Sequence, residues 1–300
     1  MEPASHRPIG PGEWAARAAA ARAGLESCVI CPRRCGVDRL HGELGACRTG
    51  RYAKVASAGP HYGEEPPLVG RGGSGTIFFA SCNLACIYCQ NYDISQLDAG
   101  EEVSPQELSA VMLAIQARGC TNINLVSPSH VVAQILEALV HAREEGLHLP
   151  LVYNTGGYDS LETLRLLEGV VDIYMPDMKY SDEKTARLHS GIKDYPAVNR
   201  AAVSEMHRQV GDLVLDERGV AVRGLLVRHL VLPGGLAGTE RVAAFLAEAV
   251  SADTYLNVMD QYRPEYRSRG SAELGRRITP EEYEAAVQMV RAAGLRRLDR

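Results

Sequence analysis

The sequence predicts an α/β chain whose βα units close partly or fully into a barrel, preceded by a cysteine-rich extension. Three observations carry this. Six short apolar runs alternate with helical stretches from residue 76 onward; the segment before them, from Cys28 to about Gly75, is rich in Gly, Pro, Arg and Glu with little apolar periodicity; and seven of the eight cysteines fall into two tight groups. The 300 residues suit one α/β barrel of about 200 to 250 residues with extensions. The expected division is an extension over 1–70 and a barrel over 71–300.

The first twelve or so residues, with Pro3, Pro8, Gly10, Pro11 and Gly12, read as a flexible leader. Strands are expected at 76–80, 122–126, 151–154, 171–175, 225–232 and 254–259. Ser104-Pro105-Gln106-Glu107 is a capping box with proline at the first helical position. Val132, Ile135, Leu136, Leu139 and Val140 have the spacing of one buried helix face, and Val242, Phe245, Leu246 and Val250 repeat it. Thr279-Pro280-Glu281-Glu282 caps a last helix. Residues 213–223, turning at Asp216-Glu217-Arg218-Gly219, read as an inserted hairpin.

Composition excludes several classes. Hydrophobic residues at 46% and charged residues at 23% rule out wholesale disorder and fibrous repeats. Lys plus Arg is 32 against 37 Asp plus Glu, a net charge of −5, so no basic field makes nucleic acid a partner. No apolar run reaches the 18 or so residues that span a bilayer, so no membrane is expected. The stretch from Trp14 to Gly24 lacks the apolar centre of a signal peptide. The expected compartment is cytoplasmic, where thiols stay reduced and clustered cysteines hold metal rather than disulfides.

In a βα barrel the chemistry lies just after the strands, and the motifs fall there. Cys82-Asn83-Leu84-Ala85-Cys86-Ile87-Tyr88-Cys89 follows the first strand, with thiols separated by three and two residues. Three thiolates on one loop can hold three irons of a cubane cluster and leave the fourth open to a ligand, whereas structural zinc wants a fourth ligand and closure. Ser127-Pro128-Ser129, Asn154-Thr155-Gly156-Gly157, Asp177-Met178-Lys179 and Pro233-Gly234-Gly235 follow the next four strands. Gln261, Tyr262 and Tyr266 follow the sixth and are expected to face a bound nucleoside or substrate.

Cys28, Cys31, Cys35 and Cys47 have two, three and eleven intervening residues, and they suit a tetrahedral zinc or a second iron-sulfur cluster. Cys120 is expected to pack as a small hydrophobe. His61, Glu64, Glu65 and His130 are candidate substrate-side groups. Gly70-Arg71-Gly72-Gly73-Ser74-Gly75 matches a dinucleotide fingerprint but leads into a strand instead of following one. It is expected to let the backbone pass close to the Cys82 loop.

The Cys-x3-Cys-x-aromatic-Cys pattern, with Tyr88 in the aromatic place, resembles the signature of the radical S-adenosylmethionine (radical SAM) superfamily. Thr76-Ile77-Phe78-Phe79-Ala80-Ser81-Cys82-Asn83-Leu84 and Cys89-Gln90-Asn91-Tyr92-Asp93 resemble its branch of pyruvate formate-lyase activating enzymes. The resemblance implies a partial (β/α)6 TIM-like barrel and a 4Fe-4S cluster on Cys82, Cys86 and Cys89. It implies S-adenosylmethionine chelated by the open iron and cleaved to a 5′-deoxyadenosyl radical, with activation of a glycyl radical enzyme as a finer expectation. It also implies an electron donor such as flavodoxin or ferredoxin, and a protein as one kind of substrate. The usual Gly-Gly-Glu turn after the second strand reads Asn124-Leu125-Val126-Ser127 here, so Asn124 and Ser127 are the expected acceptors for the methionyl amine. Asn154 stands where an acidic residue is common, and Lys179 and Arg228 match the cationic elements. The alternative is a non-catalytic iron-sulfur or zinc protein that carries electrons or binds a partner.

Overall fold

The computed structural model describes residues 9–97 and 99–299. Of the expected leader, residues 1–8 lie outside the described residues, and Pro11 and Gly12 already belong to a helix. That helix, α1 (Pro11–Ala23), begins on proline, carries Glu13 in its first turn and Arg22 in its last, and buries Trp14, Ala18 and Ala21.

From Ala53 the order is β1 (Ala53–His61), α2 (Pro66–Val69), β2 (Ser74–Phe79), α3 (Tyr92–Ser95), β3 (Glu101–Val103) and α4 (Pro105–Ala117). Next come β4 (Ile123–Val126), α5 (Val132–Glu144), β5 (Leu151–Thr155), α6 (Leu161–Leu166), β6 (Ile173–Pro176), α7 (Glu183–Ser190) and α8 (Tyr195–Val210). The chain ends with β7 (Val214–Leu215), β8 (Ala221–Leu230), α9 (Thr239–Phe245), β9 (Tyr255–Met259), α10 (Pro280–Ala292) and β10 (Arg297–Leu298).

One sheet runs β10-β9-β8-β6-β5-β4-β2-β1-β3, with β7 paired to β8. Strands β2, β4, β5, β6, β8 and β9 pair in parallel and in chain order, the six-stranded core of a partial barrel. Among the described residues β2 and β9 do not pair, so the sheet is not closed. The β2 edge is covered instead by β1, which runs antiparallel to it and in turn holds β3. Residues 53–61 of the expected extension are therefore a strand of the barrel's own sheet.

Alternation along the strands sorts the two faces. Ile77, Ile123, Leu125, Tyr153, Leu225, Val227 and Leu256 join the helices in the main core, and α1 packs on α5. The inner face is filled at its base by Val152, Ile173, Met175 and Leu226 around Leu68 of α2. A third cluster, including Leu84, Tyr88, Tyr158, Tyr180, Tyr195 and Tyr262, gathers beyond the strand C-termini.

Both expected capping boxes form, at Ser104 with Glu107 and at Thr279 with Glu282. The expected hairpin turns as read, with Gly219 N–H on the Asp216 carbonyl at 3.0 Å, but its second arm runs without a break into β8. The Gly70 to Gly75 segment does not approach the Cys82 loop. It crosses the α4–β4 turn, where a side chain on Gly72 would lie 1.8 Å from the Gly119 carbonyl oxygen.

Candidate active site

The Cys82 loop is held by backbone groups left over from neighbouring elements. The carbonyls of His189 and Ser190, unpaired at the C-terminus of α7, accept the N–H groups of Ile87 (2.9 Å) and Ala85 (3.3 Å). Asn83 Nδ2 donates to the Tyr158 carbonyl at 2.7 Å, and the Asn83 carbonyl accepts from Arg33 Nε of the extension at 2.9 Å. Two serines take left-handed backbone conformations where the chain leaves the sheet: Ser81 (φ 67°) after β2 and Ser127 (φ 59°) after β4. Such non-glycine positions cost on the order of 1 kcal/mol and gather at functional turns. Spacing gives no sign of them.

The three thiols share one cavity of ≈ 220 Å³ at the strand C-termini, and Tyr88, Ser127, Asn154, Asp177, Lys179, Arg228 and Gln261 also line it. Each thiol has a hydrogen-bonding neighbour: Leu84 N–H at 3.4 Å from Cys82 Sγ, Ser190 Oγ at 2.9 Å from Cys86 Sγ and Ser95 Oγ at 3.1 Å from Cys89 Sγ. Burial pushes the Cys82 thiol up to about 12 and raises Cys86 too, against the pull of the Lys179 charge. Such thiols become anions when a cation takes the proton's place. Among the described residues no three Cys, His, Asp or Glu side chains converge as a single metal ion requires.

Asp177, just beyond β6, ties the cationic side together. It accepts from Lys179 Nζ at 2.6 Å through Oδ2 and from Arg228 Nε at 3.0 Å through Oδ1. Arg228 Nη2 also donates to Asn154 Oδ1 at 2.7 Å. Burial works against all three charges, yet the two cations hold Asp177 below the usual carboxylate range and Asp177 holds Lys179 and Arg228 above theirs. After these bonds Lys179 retains two N–H donors and Arg228 part of its fork, and both residues line the cavity. Gly157 (φ 75°) makes the turn after β5 fit, since a side chain there would meet the Asp177 carbonyl oxygen at 2.2 Å.

Of the residues expected to bind a cofactor, Tyr88, Ser127, Asn154, Lys179 and Arg228 stand together on the cavity wall. Asn124 does not line it. It is fully buried one layer below, its Nδ2 donating to Ser74 Oγ at 3.1 Å. His130 is also buried: its Nε2 is 3.0 Å from the Ala80 carbonyl oxygen, and burial together with Arg39 lowers it to about 4, a neutral structural histidine. Tyr262 packs edge-on against Tyr88 and donates to the Leu274 carbonyl, and Tyr266 stacks on Tyr92, so of the β9 turn Gln261 reaches the cavity.

The extension folds against this loop. Cys28, Cys31 and Cys47 are buried and Cys35 is exposed. Burial pushes Cys31 up to about 12, against a backbone hydrogen bond at Arg33, with smaller upward contributions from Cys47, Cys28 and Cys35, but the four expected ligands do not converge as a single metal ion requires. Cys35 Sγ accepts the Ala46 N–H at 3.4 Å. Cys120 packs in the main core.

Three thiols after the first parallel strand thus share a cavity with paired cations at the mouth of an open six-stranded barrel. Residues 76–209 match the model of the radical SAM superfamily. A radical SAM domain implies a 4Fe-4S cluster and S-adenosylmethionine as cofactors.

Among its relatives is the uncharacterized protein MJ0674 of Methanocaldococcus jannaschii, 31% identical over 275 residues that cover 88% of this chain and 74% of that protein. The uncharacterized protein MJ0808 of the same organism is 26% identical over 216 residues, covering 62% of this chain and 63% of that protein. Similar solved structures include a radical SAM methyltransferase from Sphaerobacter thermophilus (TM-score 0.50, 15% identity, 75% of this chain and 65% of that one). Another is anSMEcpe with bound AdoMet (TM-score 0.51, 11% identity, 73% of this chain and 61% of that one). This chain spans less than two thirds of either structure, and at these identities they show the fold alone. Among the described residues no helix is long and apolar enough to cross a membrane.

Proposed function

We propose that this protein is a radical SAM enzyme in which Cys82, Cys86 and Cys89 hold the 4Fe-4S cluster and the cavity beside them holds S-adenosylmethionine. The observation that carries the reading is the shared cavity: three thiols, each with a hydrogen-bonding neighbour, face Lys179 and Arg228 across one space. When bound, the cluster supplies one electron to cleave the sulfonium and release a 5′-deoxyadenosyl radical that abstracts hydrogen. The protein's part is positional. Lys179 and Arg228 direct their remaining donors at the methionyl carboxylate, and Asp177 fixes both cations by charge-assisted bonds. Ser127 and main-chain carbonyls after β4 accept from the methionyl amine, Asn124 being a layer below. Asn154 is oriented by Arg228, and Tyr88 closes the wall beneath the loop.

Cys28, Cys31, Cys35 and Cys47 form a second metal-binding element in this reading, for zinc or a second iron-sulfur cluster, docked through Arg33. An external one-electron donor of the flavodoxin or ferredoxin kind is required, and the cytoplasm, where eight unpaired thiols persist, is the setting proposed. Hydrogen abstraction from a protein, as in activation of a glycyl radical enzyme, rests on the sequence resemblance at residues 76–93 and at Asp177-Met178-Lys179.

The test is anaerobic reconstitution followed by paramagnetic resonance of the reduced protein. The reading expects a 4Fe-4S signal that shifts on addition of S-adenosylmethionine and is absent when Cys82, Cys86 and Cys89 are all replaced by Ala. A signal indifferent to S-adenosylmethionine supports the electron-carrier alternative instead.

A further inference from the structure

Between β1 and β2 the chain enters the barrel instead of skirting it. Leu68 of α2 is fully buried in the inner-face cluster, and its carbonyl accepts from Thr121 Oγ1 (2.6 Å) and Asn122 Nδ2 (2.9 Å) at the start of β4. The segment thus acts as a stopper at the N-terminal mouth of the barrel. It also carries two carboxylates inside. Glu65 is 5% exposed; its Oε1 accepts from Asn257 Nδ2 of β9 at 2.9 Å, while its Oε2 is buried and meets no donor. Glu64 is held loosely, 3.9 Å from Arg228 Nη1 and 3.8 Å from His61 Nδ1, both beyond hydrogen-bond reach. Asn124, on the same inner face by strand alternation, offers a second buried acceptor, Oδ1, with no donor.

The charges around Arg228 do not balance. Asp177, Glu64 and Glu65 are three carboxylates; Lys179 and Arg228 are two cations, and both donate to Asp177. Buried carboxylate oxygens and amide carbonyls are kept without a donor only at a cost, and such exceptions concentrate where a ligand completes the set. Each vacant position here is an acceptor, so the missing partner is a donor, and the surplus charge asks for a positive one. We propose that Glu64 and Glu65 form a receptor inside the barrel for a cationic group of the substrate, an ammonium or a guanidinium. The inference rests on the radical SAM reading for calling that ligand a substrate. It places the cation beneath Arg228, on the side of that residue away from the cysteine loop. Burial raises the Glu64 carboxyl above its ordinary range against the pull of Arg228, and an arriving cation would pull it back down.

The experiment is calorimetric titration of the cluster-loaded protein, with S-adenosylmethionine present, using n-butylammonium, 1-butanol and butyrate as probes. We expect saturable binding of n-butylammonium at least tenfold tighter than 1-butanol, and none of butyrate. The preference should fall at least tenfold in Glu65→Gln and in Glu64→Gln and persist in Glu65→Asp. If Glu65→Gln does not fold, by circular dichroism and iron content, the loosely held Glu64→Gln decides. Equal binding of the amine and the alcohol, or no binding of n-butylammonium, overturns the proposal. A protein that cleaves S-adenosylmethionine but shows no charge preference refutes this receptor alone. One that shows the preference but cleaves nothing refutes the radical reading alone.

Discussion

Ser190 Oγ lies 2.9 Å from Cys86 Sγ, and the same hydroxyl is 2.7 Å from the phenol of Tyr180. Once Cys86 is a thiolate it can only accept, so Ser190 donates to it and Tyr180 donates to Ser190. A donor on a cluster sulfur stabilises the reduced, more negative state and raises the reduction potential. Ser190→Ala is therefore predicted to lower the midpoint potential of the cluster, and Tyr180→Phe to lower it less. Redox titration followed by paramagnetic resonance checks this; identical potentials in all three proteins would show that the hydroxyl does not act on the cluster.

Lys179 and Arg228 should matter for S-adenosylmethionine affinity more than for cluster assembly, because both lie on the cavity wall and neither touches a thiol within hydrogen-bond distance. Replacing either by Ala is predicted to weaken binding about tenfold or more, equivalent to about 1.4 kcal/mol. Iron content should not change. Equilibrium titration of S-adenosylmethionine monitored through the cluster signal provides the measurement, and unaltered affinity in both variants contradicts the assignment.

Much of this site was legible because the chemistry follows strand ends. Cys82, Ser127, Asn154, Asp177 and Gln261 each sit within three residues of a parallel strand's last residue, and strands of four to six residues leave little room for error. Asn124 was misplaced for the same reason: it lies two residues before the end of β4, where alternation faces it inward but a layer too deep. Other features depend on contacts that no local pattern encodes. Ser190 reaches Cys86 across 104 residues of chain, and Glu65 reaches Asn257 across 192. Strand β1 has no clean apolar alternation, since its partner β2 and not a hydrophobic face specifies it. Helix α1 is so rich in Ala and Arg that its burial against α5 could be seen only after folding.

The extension makes its own prediction. Protein in which Cys82, Cys86 and Cys89 are all Ala should retain metal on Cys28, Cys31, Cys35 and Cys47. About one zinc and no iron identifies a tetrahedral site, and about four irons with a reducible spectrum identifies a second cluster. Elemental analysis that finds neither metal rejects a metal role for these thiols.

His130 supplies a pH test independent of any cofactor. Its folded value is about 4, below the ordinary imidazole value of about 6.5, because burial and Arg39 disfavour the charged ring. Between those values the unfolded chain binds the extra proton, so stability falls as pH drops from about 6.5 toward 4, by up to about 1.4 kcal/mol per unit. Nuclear magnetic resonance of labelled histidines should show His130 neutral at pH 5, while exposed His41, raised by its bond to Asp38, is protonated. In His130→Gln the stability loss between pH 7 and 5 should shrink by about 2 kcal/mol. A His130 that titrates with His41 contradicts its structural role.

The central claim is that three thiols on the loop after β2 serve S-adenosylmethionine cleavage. The most direct measurement is 5′-deoxyadenosine formed by the anaerobically reconstituted protein with dithionite and S-adenosylmethionine, compared with Cys82→Ala, Cys86→Ala and Cys89→Ala. The account predicts accumulation of 5′-deoxyadenosine with the unaltered protein and none above background with any single variant. No 5′-deoxyadenosine from the cluster-loaded protein, or undiminished formation in any one of the three variants, would contradict it.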